Sequence, residues 1–330
     1  MDRQVRWGIL GAGGIAATVG ADVAASPGSC VAAVASRDLG RARALAAELG
    51  APAAYGSYDE LVADPQIDVV YVATTHAQHR DGALLALRAG KPVLVEKPIA
   101  LNARQGREIA AAAAQRGLLC VEGMWTRLNP AVKRIEQIIA SGEIGDVRAV
   151  RIDLSHVFDY HPRHRLFDPA VGGGALLDLG VYPAALAWLL LGRPDGVEAS
   201  GTKAPTGVDA SDSMLWTYDD GRFAQLTCSA VSDAGSTATI LGTRGWIEAA
   251  GMIFRTEQVT VCTPAGSRTE HHRLPAGNGY GLEVREVERC LADGTTDSGE
   301  MPLGASLGVL EVLDEARRQV GVRYAGEEDD

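Results

Sequence analysis

The chain lacks a surplus of positive charge, a long unbroken apolar run and a cysteine framework, and each lack closes off a class of function. It carries 31 Lys and Arg against 42 Asp and Glu, a formal net charge of −11. A nucleic-acid backbone or an anionic membrane surface would be repelled, so neither is an expected partner. No stretch approaches the roughly 20 uninterrupted apolar residues that span a bilayer. Residues 1–10 have too short an apolar run for a signal peptide and show no cleavage-site pattern. Cys30, Cys120, Cys228, Cys262 and Cys290 are odd in number and form no C-x-x-C. They read as reduced, buried small hydrophobes of a cytoplasmic protein, not as disulfides or a zinc site. Internal repeats, low-complexity tracts and flexible linkers are also missing.

What is present is globular. Hydrophobic residues make up 46% of 330, enough for two cores rather than one. Up to about residue 123, short β-branched runs (5–10, 30–36, 67–74, 91–97, 118–123) alternate with alanine-rich helical stretches (14–26, 39–50, 79–90, 102–117), and a short amphipathic connector from Asp59 ends at Pro65. Apolar strands separated by helices predict a parallel sheet covered on both faces. Beyond Trp125 the rhythm changes to a helix over 129–142 and then alternating segments at 147–157, 212–231, 236–251 and, more weakly, 257–266. Asp220-Gly221 sits between two such runs as a hairpin signal. Helices over 280–294 and 303–321 follow, and Glu327–Asp330 read as a solvated acidic end. The expected fold class is α/β: a Rossmann doubly wound parallel sheet over 1–123, then an α+β domain over 124–330 with a large, open, mainly antiparallel sheet. The uncovered face of that sheet predicts a homodimer, or a dimer of dimers.

The first strand leads into Gly11-Ala12-Gly13-Gly14-Ile15-Ala16, a G-x-G-x-x-A pattern that opens a helix. Gly11 permits the tight turn, Gly13 lets backbone approach a pyrophosphate, and Ala16 allows helix to pack closely on strand. The helix N-terminus offers free N–H donors. At the tip of the second strand stand Ser36, Arg37 and Asp38, with Arg41 a turn further on. A carboxylate there suits the ribose hydroxyls of NAD, and an arginine suits the 2′-phosphate of NADP. Arg37 favours NADP, with NAD possible should Asp38 take the carboxylate role.

Lys97 ends an apolar strand as Glu96-Lys97-Pro98. By itself it reads as a solvated strand-end lysine. A glycine run, Gly172-Gly173-Gly174, opens a strongly apolar helix carrying Asp178 and Tyr182. Four apart, they share one helical face. Pro183 withholds the N–H that Leu179 would accept, which predicts a kink or restart. Asp178 alone reads equally as a cap and Tyr182 as a core aromatic, but an acid and a phenol on one buried face point to a site.

Together, the G-x-G-x-x-A start, Glu96-Lys97-Pro98 and the Gly-Gly-Gly-x-x-x-Asp-x-Gly-x-Tyr helix resemble the glucose–fructose oxidoreductase/inositol dehydrogenase/MocA superfamily, over essentially the whole chain. Residues 122–127 with Tyr182 resemble its dimeric dihydrodiol dehydrogenase and NADP-dependent D-xylose dehydrogenase branch. Tyr182 and Ala185 stand where inositol dehydrogenases carry His and Asp, which points away from inositol. His79 matches the family's strand-end pattern, while Thr75 and His76 replace a Pro-Asn. The resemblance implies that Thr74, Thr75, His76, His79, Glu96 and Lys97 flank the cofactor, and that Trp125, Arg127 and Tyr280 line a carbohydrate-like substrate. It implies catalysis by Lys97, Tyr182 and Asp178. A phenol of reference pKa about 10 is almost wholly protonated near neutral pH, and a neighbouring ammonium favours the phenolate that can accept a proton. Tyr182 as acid/base tuned by Lys97, and Lys97 as direct proton donor, both satisfy the sequence.

Ligand-type residues also gather at His156, Asp159, His161 and His164, but their spacing on a proline-containing loop is not diagnostic of a metal. A loop near the substrate opening is expected, and no metal. His271 and His272 read as surface residues. Two other functions share this fold: a dinucleotide-sensing regulator without catalysis, and NAD-dependent glycoside hydrolysis. Retention of Lys97, Asp178 and Tyr182 together argues against the regulator.

Overall fold

The computed structural model describes residues 4–233, 235–324 and 327. The chain forms two compact units, Met1–Trp125 with Pro275–Leu307, and Thr126–Leu274 with Gly308–Asp330. A single cut after residue 123 had left 275–307 with the second domain. By packing they belong to the first.

In the first unit, β1 (Val5–Leu10), α1 (Gly14–Ala25), β2 (Ser29–Ala35), α2 (Leu39–Glu48), β3 (Ala53–Tyr55), α3 (Tyr58–Ala63), β4 (Val69–Val72), α4 (His76–Arg88), β5 (Val93–Val95), α5 (Ala103–Arg116) and β6 (Cys120–Glu122) alternate as expected. The six strands are parallel in the order β3-β2-β1-β4-β5-β6. Every residue of β4, β5 and β6 is buried, because helices cover both faces. Strands 67–74 and 91–97 prove shorter than their apolar runs, and β3 gave no sequence signal: at three half-buried residues it is too short to show a period.

The second unit begins with α6 (Pro130–Ala140) and β7 (Val147–Ser155), then passes through a π-helical turn, Leu176–Gly180, into α7 (Val181–Leu191). The strands β8 (Gly196–Lys203), β9 (Asp209–Thr217), β10 (Phe223–Ser229), β11 (Thr237–Gly242), β12 (Trp246–Ala250), β13 (Gln258–Thr263) and β14 (Gly266–His271) follow. Helix α8 (Gly281–Asp293) lies in the first unit's segment, and α9 (Leu303–Val320) ends the fold. The eight strands run β14-β13-β12-β11-β7-β10-β9-β8, antiparallel throughout except that β7 and β10 pair parallel. The Asp220-Gly221 hairpin joins β9 to β10 as predicted. Strand β8 escaped the sequence reading because only Val197 and Ala199 interrupt its polar run.

Alternation sorts the sheet's two faces. Trp216 and Leu226 are fully buried on the helix side, whereas Trp246 is 38% exposed. One stretch, Pro169–Leu191, reaches membrane-spanning length and apolarity after all, with mean hydropathy 1.7 over an 18-residue window, but 83% of that window is buried. Its apolarity serves the second unit's core. The acidic end is not wholly solvated either: Arg317 Nη2 donates to Glu327 Oε1 at 2.8 Å. Residues 328–330 lie outside the described residues.

Candidate active site

The strand order reverses between β1 and β4, and in such sheets a ligand sits outside the carboxyl ends at that point. Gly11 lies there with φ of 110°, and a Cβ would collide with the Ala73 carbonyl at the end of β4. Helices α2, α3 and α5 are capped by the side chains of Asp38, Ser57 and Asn102. The N-cap of α1 is Gly13, with no capping side chain, and a Cβ at Gly13 or Gly14 would meet nothing within 4 Å. Open space at an uncapped helix start fits the pyrophosphate of a dinucleotide. Ile15 and Ala16 follow in the first turn, with Ala16 fully buried against the sheet.

At the tip of β2, Asp38 caps a helix. Its carboxylate accepts from Gly40 N at 2.8 Å and Arg41 N at 3.3 Å, as the N-cap of α2. The Ser36 hydroxyl accepts from Asp38 N at 3.2 Å. Arg41 donates to the Ala12 carbonyl at 2.6 Å, which ties α2 to the glycine loop. Burial raises the Tyr58 phenol's pKa, and Arg37 and Arg41 pull it back. A groove beside this tip is lined by Arg37, Tyr58, Gln78, Arg80 and Arg88.

Lys97 stands two residues past the end of β5, and its peptide bond to Pro98 is cis. Beneath it is a buried polar layer. Tyr71 of β4 donates to Glu96 Oε1 at 2.6 Å, and Lys97 N donates to Glu96 Oε2 at 3.1 Å. His79 is fully buried, its Nδ1 2.7 Å from the Pro98 carbonyl and its Nε2 3.1 Å from that of Thr74. It fastens the ends of β4 and β5 together. Burial lowers its pKa to about 4, so the ring is neutral and donates to one carbonyl only. His76 meets it edge to face at 5.6 Å, one residue past the α4 N-cap, Thr75. Sequence reasoning missed Glu283 of α8: fully buried, its carboxyl has no hydrogen-bond partner among the described residues. Burial first, then Glu96 and Asp22, hold it well above the usual carboxylate range, so it carries its proton.

In the second unit, Asp178 belongs to the π-helical turn and Tyr182 to the first turn of α7, which is the restart that Pro183 predicted. Both are buried, at 3% and 5% exposure. Arg165 donates to Asp178 Oδ1 at 2.8 Å, and the Tyr182 ring stacks on Phe254 with centroids 4.7 Å apart. The sequence names neither partner, because nothing local says which side chain reaches Asp178 or which ring meets Tyr182. π-Helical turns concentrate at functional sites.

Trp125 is fully buried and packs on Tyr280 at 5.0 Å between ring centroids. The half-exposed ring of that pair is Tyr280. Arg127 lies in a short 3-10 turn, Trp125–Leu128. The loop with His156, Asp159, His161 and His164 is aromatic-rich: His156 meets Phe158, and His164 meets Phe167. No group of three or more metal-ligating side chains is found among the described residues.

A reversed parallel sheet with an uncapped, glycine-opened helix defines a dinucleotide-dependent oxidoreductase. Residues 5–124 match the NAD-binding Rossmann oxidoreductase family GFO/IDH/MocA, and residues 132–248 its C-terminal domain. The chain belongs to the GFO/IDH/MocA family, and it is an NAD(P)-dependent dehydrogenase. It is 37% identical over 332 residues to the trans-1,2-dihydrobenzene-1,2-diol dehydrogenase of Mus musculus, covering 97% of this chain and 98% of that one. It is 34% identical over 335 residues to the human enzyme of that name, with the same coverage. A 3-ketoreductase from Actinomadura kijaniata, solved with NADP and TDP-benzene, superposes with a TM-score of 0.86 at 26% identity over 96% of this chain and 98% of its own. An aldose–aldose oxidoreductase from Caulobacter crescentus shares the fold, with a TM-score of 0.87 at 22% identity over 96% and 98%.

Proposed function

We propose that this enzyme moves hydride between NADP(H) and a secondary alcohol or carbonyl on a sugar, cyclic polyol or dihydrodiol-like ring, with Lys97, Tyr182 and Asp178 as its catalytic residues. The observation that carries the substrate class is similarity along the full length to dihydrodiol dehydrogenases, joined to retention of these three side chains. For the cofactor it is the tip of β2: one oxygen of Asp38 is engaged as a helix cap, while Arg37 and Arg41 bring two positive charges beside Tyr58. That arrangement suits a 2′-phosphate.

When bound, the nicotinamide supplies the hydride acceptor or donor. The pyrophosphate would lie on the start of α1 at Gly13 and Gly14, with Thr74, Thr75, His76 and Lys97 beyond it along the strand ends. Tyr182 takes the hydroxyl proton in oxidation and returns it in reduction, while the Lys97 ammonium polarises the same oxygen. Arg165 fixes the Asp178 carboxylate, and Asp178 orients the substrate or Lys97. Tyr280, backed by Trp125, and Arg127 meet the substrate ring and its hydroxyls. His79 and Glu96 act from below, setting the backbone that presents Lys97. The open face around Trp246 pairs two copies in a homodimer, and the reduced cysteines fit a cytoplasmic setting.

The test is absorbance of reduced nicotinamide across a panel of aldoses, cyclic polyols and trans-dihydrodiols, each with NADP and with NAD. Turnover of at least one ring substrate with NADP ahead of NAD is expected. A protein that binds either dinucleotide tightly yet turns over none would be a sensor. One that cleaves glycosides while retaining its cofactor would be a hydrolase.

A further inference from the structure

The second unit buries two carboxyls side by side under the π-helical turn. Asp209 opens β9 at 0% exposure, and Asp212 is 2% exposed. Strand residues three apart point to opposite faces, but the β8–β9 register skips a residue between Ser211 and Asp209, and this bulge at Ala210 returns both side chains to the helix side. Asp209 Oδ2 accepts the N–H of Leu176, the first residue of the π-helical turn, at 2.5 Å. Oδ1 of each carboxyl finds no donor among the described residues, and the two carboxyls lie within hydrogen-bonding reach of each other. Adjacent carboxyls out of contact with water cannot both be ionised, so one proton between them is the arrangement that satisfies the pair.

Every element packed on the pair has been fitted around it. From β10, Cys228 Sγ approaches Asp212 Oδ2 at 3.9 Å, and Asp153 of β7 lies beyond it. From α9, Arg317 faces Asp209 while paired with Asp314 and Glu327. Tyr324 donates to the Gly173 carbonyl at 2.5 Å, and a Cβ at Gly174, whose φ is 135°, would collide with Asp209 Oδ1. The glycine run before the π-helical turn is therefore what lets the pair reach it. Burial, then Asp209 itself, raises Asp212 to about 9. Burial also raises Asp209, and the Leu176 N–H, its own backbone N–H, Asp212 and Arg317 offset part of that rise.

We propose that Asp209 and Asp212 share one buried proton that fastens the start of the π-helical turn, making them positioning residues for Asp178 and Tyr182 and setting an alkaline limit separate from the groups that meet substrate. The catalytic consequence rests on the function proposed above; the shared proton does not. Because the Asp212 pKa is raised on folding, its contribution to stability is present at low pH and lost as pH rises toward its folded value. Loss of the proton leaves two neighbouring buried charges and a weakened hold on Leu176.

Infrared spectra of the whole wild-type protein in D2O, from about pH 7 to about pH 10, read protonated carboxylic acids directly. One acid carbonyl band is expected to disappear with a midpoint near 9 and to be missing from Asp212→Asn. That variant keeps an N–H donor for Asp209 and cannot ionise. In oxidation assays the wild-type kcat should fall about tenfold per pH unit above this limit, while Asp212→Asn should stay level there, with cofactor Kd the same in both. Glu283→Gln identifies the band of the other buried acid. The proposal is overturned if no further carboxylic acid band of the wild type disappears with a midpoint near 9, or if Asp212→Asn declines along the same alkaline limb. If no substrate is oxidised at all, the proposed function fails, and the wild-type infrared titration still decides whether the proton is shared. It decides that equally if the variant does not fold.

Discussion

The two units solve the burial of a sheet in opposite ways, and the difference governs how each could be read. Strand β4 is buried at all four positions, while β9 alternates between buried and open along most of its length. A strand covered on both faces loses its period of two and survives only as an apolar run, whereas one covered on a single face keeps it. The same contrast holds for the site. In the first unit the functional side chains sit one or two residues past strand ends, next to the motifs that announce them. In the second, Asp178 and Tyr182 depend on Arg165, Phe254 and Asp209, which the chain brings from 13, 72 and 31 positions away by sequence number.

The sharpest way to break this contrast is to take one proposed catalytic group from each unit. Tyr182→Phe should lower kcat by about 10²–10⁴, the usual worth of acid–base catalysis, with little change in cofactor affinity. Lys97→Met should cost a similar factor, and the double variant little more than either, because groups acting as one are non-additive. Additive losses in steady-state kinetics would mean that the units contribute separately.

Next come the two tryptophans of the open sheet. Trp216→Ala should cost about 3–5 kcal/mol in denaturant unfolding, as large aromatic truncations in a core do. Trp246→Glu, on the outer face, should leave the folded core intact and shift light scattering from dimer to monomer. A dimer that survives this change places its interface elsewhere.

Smaller effects are expected at the tip of β2. Arg37→Ala should weaken NADP binding by about 1.5–3 kcal/mol, the range for a charged hydrogen bond, and leave NAD binding unchanged. Equal losses for both cofactors would remove the case for the 2′-phosphate. Smallest is Asp38→Ala, which should reduce stability by about 1 kcal/mol through loss of the α2 cap while cofactor preference stays as it was. Collapse of NAD binding in that variant would return the carboxylate to a ribose.

By itself the sequence determined the parallel first sheet, the glycine loop, the basic strand tip, Lys97, and the interruption of the apolar helix near Pro183. Each of these is a local matter: a φ that only glycine tolerates, a missing N–H, a charge at the end of an apolar run. Tertiary structure alone decided that His79 ties the ends of β4 and β5 together, that Trp125 packs on Tyr280, and that Asp38 caps a helix. It also decided that Arg165 holds Asp178 and that Glu283 and Asp212 are buried where desolvation raises their pKa. A carboxyl or an imidazole has the same letter in the sequence whether it meets water, a carbonyl or another acid. The low-dielectric surroundings that choose its protonation state and its partner come into being only when distant segments pack around it.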